Sequence, residues 1–256
     1  MEALFNLIYN LLVIVLGLSF GSFLNVLIHR LPKEQSIAFP SSYCPRCNKP
    51  IKWFYNIPIL SFILLKGASN CCNNKISLRY PLVEFTSLSL WIWSFNNLDI
   101  NAQIIFLIMS SCLLVILFTD YNEYYIPIEL NIVMFFTCLI NFYVNDFLGF
   151  KYHAISLIAL SSYFFILMMV TTYFLKKESM GYGDIILIGV IGFWCGLVDS
   201  LIIIFFASVF SIFHWCFLRV LLKQKDIILP FGYSISLVTI VLYILKATLQ
   251  IDTNLF

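Results

Sequence analysis

Charge is scarce in this chain. Of its 256 residues, 11% are Asp, Glu, Lys or Arg, against ~25% in an average soluble domain, and the mean hydropathy is +0.95. A soluble globular enzyme is thereby excluded, and a polytopic membrane protein is left. Histidine is scarce too. His29, His153 and His214 have no ligand spacing to one another or to the cysteines, so all three are read as structural. The chain has no Gly-rich dinucleotide fingerprint, no long internal repeat and no low-complexity tail, and no nucleic-acid partner is expected. The first residues lack the basic region of a cleavable signal peptide, so the first apolar run is expected to stay in the protein as a helix.

What is abundant is hydrocarbon. Hydrophobic residues make up 61% of the chain and aromatics 18%, with 26 Phe; such residues fill lipid-facing and interfacial positions. Apolar runs of spanning length fall at 3–28, 82–98, 102–119, 128–146, 154–175, 185–199, 200–218 and 230–250, several of them near the lower limit of ~17 residues. The stretch 185–218 must turn between Gly196 and Ser200. The expected fold is therefore all-α, with about eight transmembrane helices and a Cys-containing loop between the first and second.

Lysine and arginine orient these helices. Eight of the fifteen lie between Arg30 and Arg79. If that loop is cytoplasmic, alternation also puts Lys176, Lys177, Arg219, Lys223 and Lys225 inside and leaves only Lys151 and Lys246 outside, thirteen against two. A seven-helix arrangement would strand Arg219, Lys223 and Lys225 on the wrong side.

Against this background two carboxylates stand out. Asp120 ends one apolar run and Asp184 begins another, in Gly181-Tyr182-Gly183-Asp184. A carboxylate at the edge of hydrocarbon is costly and marks a candidate functional site. The topology puts both at the same depth on the cytoplasmic side. Two close carboxylates share a proton and activate water, one as base and one as acid, as in aspartic peptidases. Gly181 and Gly183 would let a substrate backbone pass close to Asp184, or permit an unusual turn, and Glu178 is a loop residue flanking the site. Asp184 is equally a good helix cap. Two other readings remain: a transporter with ion-relay aspartates, which needs polar residues deeper in the helices, and a scaffold with inert aspartates.

The motifs resemble those of the bacterial type IV prepilin peptidases. Gly181-Tyr182-Gly183-Asp184 is similar to that family's GxGD signature, and Asp120, followed by Ile126-Pro127, to its other aspartate motif. Gly21-Ser22-Phe23-Leu24-Asn25 with His29-Arg30-Leu31-Pro32, Asn56-Ile57-Pro58, Arg79-Tyr80-Pro81-Leu82-Val83-Glu84 and Pro230-Phe231-Gly232 extend the resemblance over essentially the whole chain. It implies a multi-pass protein of the bacterial cytoplasmic membrane with its active site facing the cytoplasm. It also implies a catalytic dyad of Asp120 and Asp184 that removes the short basic leader of prepilins and pseudopilins, which themselves sit in the lipid bilayer. Acidic Glu123, Glu129 and Glu178 would attract that leader.

Members with a long Cys-containing loop are similar in being bifunctional, methylating the new N-terminal residue with S-adenosylmethionine. On this resemblance residues 1–98 are the methyltransferase-associated region, 99–256 the peptidase core, and Gly67 and Glu84 are associated with methyl transfer. A peptidase without the second activity is the alternative. The family's loop carries two CxxC pairs that read as a zinc site. Here Cys44-Pro45-Arg46-Cys47 is intact, but the second pair has Ser69 where a cysteine would stand, and Cys71 sits beside Cys72. Cys44, Cys47 and Cys72 are the expected ligands, with Cys71 as fourth in a shifted site; a three-cysteine site with water and a metal-free loop are the alternatives. Cys112, Cys138, Cys195 and Cys216 lie in apolar runs and pack as small hydrophobes. Two further departures are Ile186, where the family commonly has Lys, and Ile128, where Asp is frequent, with Glu129 one step on.

Overall fold

The computed structural model describes residues 2–145, 147–176, 180–221 and 229–249. They form helices α1 (Glu2–Arg30), α2 (Leu60–Leu64), α3 (Arg79–Asn97), α4 (Ile100–Glu123), α5 (Ile128–Asn145), α6 (Phe150–Leu175), α7 (Tyr182–Cys195), α8 (Leu197–Leu221) and α9 (Phe231–Leu249). No strand occurs among the described residues. In lipid every backbone N–H and C=O needs an internal partner, and continuous apolar helices supply it. Apart from the five-residue α2, the helices follow the eight apolar runs. Six of them are long and apolar enough to cross a membrane. The other two depart for separate reasons. Helix α3 is long enough but more polar, and it buries Glu84, Ser87 and Ser94. Helix α7 is strongly apolar, but its 14 residues span only about 21 Å.

The chain divides into two compact units, Met1–Leu107 and Ile108–Phe256. In the first, α1 packs along α3. A Cβ on Gly21 would stand 2.7 Å from Glu84 Cα, and one on Gly17 3.1 Å from Leu88 Cα. The two bare positions let the helices approach backbone to backbone, the small-residue packing that suits a membrane, where the hydrophobic effect does not drive association. Ser87 Oγ donates to Gly17 O at 2.9 Å across the same seam, and Phe20 packs on Trp91 with centroids 5.0 Å apart. Where α1 ends, buried Arg30 donates to the carbonyls of Ser36, Ile37 and Pro40. A buried guanidinium needs such partners, and these tether the incoming loop to the end of the helix.

In the second unit α7 is the centre, packed against α5, α6, α8 and α9. Leu187, Ile188, Ile191 and Phe193 are each at most 2% exposed. A Cβ on Gly192 would stand 2.6 Å from Leu160 Cδ1, and one on Gly189 2.2 Å from Ser161 Oγ, so a glycine face receives α6. Gly196, with φ +82°, turns the chain between α7 and α8. The break thus falls at the start of the expected 196–200 window, because only the glycine adopts that backbone without strain. Asp199, at the start of α8, pairs with Lys246 of α9 at 2.5 Å. His153 Nδ1 lies 2.9 Å from Phe193 O, the structural use expected of it. Cys112 and Cys138 are buried, Cys195 half-buried and Cys216 exposed.

Candidate functional site

Asp120 sits in the last turn of α4 and is 5% exposed. The helix closes just beyond it: Tyr124, at φ +53°, donates its N–H to Asp120 O at 3.0 Å. Asp184 lies in the first turn of α7, whose N-cap is Gly181, and its N–H is 3.2 Å from Gly181 O. A third element joins them. The first N–H groups of any helix lack intrahelical acceptors, and at the start of α9 they are turned onto the carboxylates. Tyr233 N–H donates to Asp120 Oδ2 at 2.7 Å. The Gly232 N–H faces both Asp120 and Asp184. The positive ends of α7 and α9 favour negative charge at this spot. Asp184 Oδ1 is buried with no hydrogen-bond partner among the described residues.

Steric limits hold the arrangement. A Cβ on Gly232 would lie 2.6 Å from Ile126 Cδ1 and 2.9 Å from Asp120 Oδ2. A Cβ on Gly183 would lie 3.0 Å from Ile126 Cβ. Ile126, held just before Pro127 and α5, therefore fits between two glycines. The bareness of Gly183 is used for packing against Ile126, whereas Gly181 is exposed and has only Asp184 Oδ2 near its position, at 3.3 Å. Beside the pair, Tyr121, Tyr233 and His214 form an aromatic cluster with centroids 5.1 Å (Tyr121 and Tyr233) and 5.8 Å (His214 and Tyr233) apart. Glu178 and the neighbouring Lys177 lie outside the described residues, as do Lys223 and Lys225. Gly232, Tyr233 and Ile126 are the contributors that sequence reasoning did not assign; the signal for the first was the Pro230-Phe231-Gly232 run itself.

In the first unit the loop folds into two matching hairpin knuckles. Tyr43 bridges Pro50, and Ala68 bridges Lys75. Cys44 N–H donates to Lys49 O, and Ser69 N–H to Asn74 O. Asn48 and Asn73 each take a left-handed backbone, at φ +56° and +57°. Cys44 thus corresponds to Ser69 and Cys47 to Cys72, the expected register. Cys71 nevertheless enters the cluster: the Sγ atoms of Cys44, Cys47, Cys71 and Cys72 all lie within 4.8 Å of one another, with Cys47 to Cys71 at 3.2 Å and Cys44 to Cys72 at 3.7 Å. Thiolates ~2.3 Å from a tetrahedral zinc ion stand about 3.8 Å apart, so the donor set fits zinc. Ser69 Oγ lies 3.0 Å from Cys71 Sγ and 3.7 Å from Cys44 Sγ. Burial raises the Cys44 thiol, but the N–H groups of Cys47 and Arg46 and the Ser69 and Cys71 side chains outweigh it and bring the pKa down to about 6. Cys47 has the Lys49 N–H in its favour, yet the thiols of Cys71, Cys44 and Cys72 push it up to about 12. One thiolate crowded by thiols is a set from which a cation displaces the remaining protons.

Beside the knuckles lies a cavity of about 730 Å³, lined by α1, the loop and α3, with Asn25, Arg30, Tyr55, Ile59, Tyr80 and Glu84 among its walls. Glu84, 8% exposed, accepts the Ile59 N–H at 2.7 Å. That bond holds Ile59 at φ +60°, a strained conformation for a β-branched residue. Asn25, 3% exposed, donates Nδ2 to Tyr80 O at 3.0 Å and to Gly21 O at 3.4 Å. Its Oδ1 is buried with no partner among the described residues, a situation costing about 1–3 kcal/mol when nothing fills it. Gly67 lies outside this lining. At φ +70° it turns the chain after α2, with its N–H on Phe62 O at 2.9 Å.

Comparison with known proteins places both units. Residues 15–98 match the Bacterial Peptidase A24 N-terminal domain, and residues 107–216 match the Type IV leader peptidase family. The prepilin leader peptidase/N-methyltransferase of Klebsiella pneumoniae is 34% identical over 70% of this chain and 82% of its own length. That of Neisseria gonorrhoeae is 30% identical over 80% and 81%, and that of Vibrio cholerae serotype O1 is 29% identical over 92% and 96%. No solved structure matches.

Proposed function

Because the chain belongs to the type IV leader peptidase family, we propose that it removes the basic leader of type IV prepilins and pseudopilins with the Asp120 and Asp184 dyad. The observation that carries this reading is the single Gly232 N–H facing both carboxylates, with Asp184 Oδ1 left unpartnered. Two carboxylates gathered around one donor are disposed to share a proton. One then takes a proton from water as it attacks the scissile carbonyl, while the other gives its proton to the carbonyl oxygen; the first passes the proton it took to the leaving amine, and the second recovers its own as the carbonyl re-forms. Tyr233 N–H fixes Asp120 Oδ2, so the pair meets water and substrate in one orientation. Exposed Gly181 leaves a path for an extended substrate backbone, which must leave its helix because a helix hides its own amides.

Residues 99–256 hold the peptidase in this reading, and residues 1–98 serve N-methylation of the new N-terminus. S-adenosylmethionine supplies an electrophilic methyl group when bound, and the 730 Å³ cavity with its unpartnered Asn25 Oδ1 is the place in the first unit with room and unmet polar capacity for it. Glu84 belongs to that cavity, and Gly67 acts on it through the turn after α2. Cys44, Cys47, Cys71 and Cys72 would hold a zinc ion that locks the two knuckles together. The cytoplasmic membrane face is supported by connectivity: Asp120, Asp184 and the start of α9 lie at the same helix ends as Lys176 and Arg219. Deep relay groups for a transporter have no counterpart in α7, whose buried residues are apolar apart from glycine.

The test is cleavage of a prepilin in membranes by wild type, Asp120→Asn and Asp184→Asn, with mass spectrometry of the product. Loss of either proton-transfer group lowers the rate by about 100- to 10,000-fold, and a wild-type product heavier by one methyl group supports the second activity. Normal cleavage by both variants refutes the dyad.

A further inference from the structure

We propose that the cavity of the first unit binds the α-amine of the cleaved chain, with Asn25 Oδ1 and Glu84 as its N–H acceptors and Glu84 as the base. The inference rests on the methyltransferase reading above and assigns the atoms that carry it out.

Three observations support the assignment. The orientation of the Asn25 amide is set by its neighbours: both Tyr80 O and Gly21 O are acceptors, so the group facing them must be the NH₂. Oδ1 is left as an acceptor with nothing to accept, on a side chain that lines the cavity. Glu84 stands on the facing helix and spends one oxygen on Ile59 N–H; its other oxygen has no hydrogen bond among the described residues. Two acceptors without donors, one of them a carboxylate, suit a group with several N–H donors and positive charge. A chain N-terminus is such a group, since an α-amine titrates at about 7.7–8.0 and is largely ammonium at neutral pH.

The chemistry then balances. The ammonium gives one proton to the free oxygen of Glu84 and exposes its lone pair. That pair forms the new N–C bond to the methyl group of a sulfonium donor. The S–C bond breaks with its electrons remaining on sulfur, which becomes a neutral thioether, and the positive charge passes to the methylated nitrogen. Glu84 later returns its proton to water. The charged and titratable groups sharing the cavity wall are His29 and Arg30 from α1, Tyr43, Cys44, Arg46, Lys49, Lys52, Tyr55, Cys71 and Lys75 from the loop, and Arg79 and Tyr80 from α3, so Glu84 is the one carboxylate on a wall otherwise rich in basic groups. Arg30 is already committed to three carbonyls.

The discriminating variant is Glu84→Gln, because the amide oxygen still accepts Ile59 N–H and keeps the fold. With the full-length protein in lipid nanodiscs, a fluorescent mature-pilin peptide with a free N-terminus is titrated beside the same peptide N-acetylated, without methyl donor. Wild type prefers the free amine by about 10-fold or more, and the preference collapses in Glu84→Gln. With donor present, the methylated fraction of cleaved product per unit time falls by about 100-fold. It then rises with pH through the titration of the amine, where wild type is already near its plateau. S-adenosylhomocysteine affinity is measured on the same samples. If Glu84→Gln weakens that affinity and leaves the free-to-acetylated ratio intact, the acceptors serve the donor's own amino group and the proposal is overturned. Methylation by Glu84→Gln at the wild-type rate overturns it as well, while leaving the methyltransferase reading standing. Wild type that cleaves but never methylates removes that reading and this one with it.

Discussion

Replacing Gly232 by Ala adds one methyl group at the point where three elements meet. Its Cβ would stand 2.6 Å from Ile126 Cδ1 and 2.9 Å from Asp120 Oδ2, against an ordinary carbon contact of about 3.5–4.0 Å. Something must therefore move by roughly 1 Å. Both nearest atoms are at the ends of side chains, so the fold survives, with an overpacking cost of about 1–3 kcal/mol. The carboxylate has less freedom than the isoleucine, because turning Asp120 away breaks its 2.7 Å bond from Tyr233 N–H and withdraws it from the Gly232 amide. A displacement of about 1 Å in a catalytic group costs on the order of 100-fold in rate, equal to about 2.7 kcal/mol of barrier. The assay is single-turnover cleavage of a prepilin in nanodiscs, with thermal unfolding of the same sample. A second variant, Gly232→Ala with Ile126→Val, removes the Ile126 Cδ1 atom and leaves the Asp120 contact. It should recover thermal stability and not rate. Full recovery of rate in the double variant, or wild-type cleavage by the single one, would refute the claim that Gly232 is bare for the sake of Asp120.

Two other predictions follow from packing and from the thiol cluster. Purified protein should carry about one zinc per chain; Cys71→Ser should lower that content by metal analysis, and Ser69→Cys, which restores the thiol at the first knuckle position, should raise it again in the Cys71→Ser background. An unchanged zinc content in Cys71→Ser would exclude Cys71 as a ligand. Gly21→Ala should unfold at a lower temperature than Gly189→Ala, because the added methyl meets the Glu84 backbone in the first case and only the rotatable Ser161 hydroxyl in the second. The reverse order would show that the helix seam between α1 and α3 is softer than its spacing suggests.

The helices were legible because hydrocarbon thickness imposes a length on apolar runs, and Gly196 broke the longest run where an L-residue would be strained. The two aspartates were legible because carboxylates beside hydrocarbon are conspicuous. What surrounds them was not. Gly232 and Tyr233 contribute N–H groups, and a main-chain donor leaves no mark in composition. Gly183 read as an opening for substrate or as the site of an unusual turn; that its missing side chain also accommodates Ile126, a residue 57 positions away, left no mark in the sequence. Spacing placed Ser69 and Cys72 at matching knuckle positions and left Cys71 open; only the turn at Asn73 shows that the adjacent thiol swings to within 3.2 Å of Cys47. Asn25 was visible as the last residue of the Gly21-Ser22-Phe23-Leu24-Asn25 run, but that one of its two polar atoms lacks a partner among the described residues is a fact of three dimensions.

The amide that Tyr233 gives to Asp120 would be supplied by almost any residue at that position. Side-chain scanning is blind to it: a library of substitutions at 233 would report only what the ring does in its cluster with Tyr121 and His214. Only proline, which has no N–H, or an ester replacing that one peptide link would expose the contribution. The main-chain groups that orient Asp120 are thus easily mistaken for spacer, although the start of α9 holds that carboxylate without any charged side chain of its own.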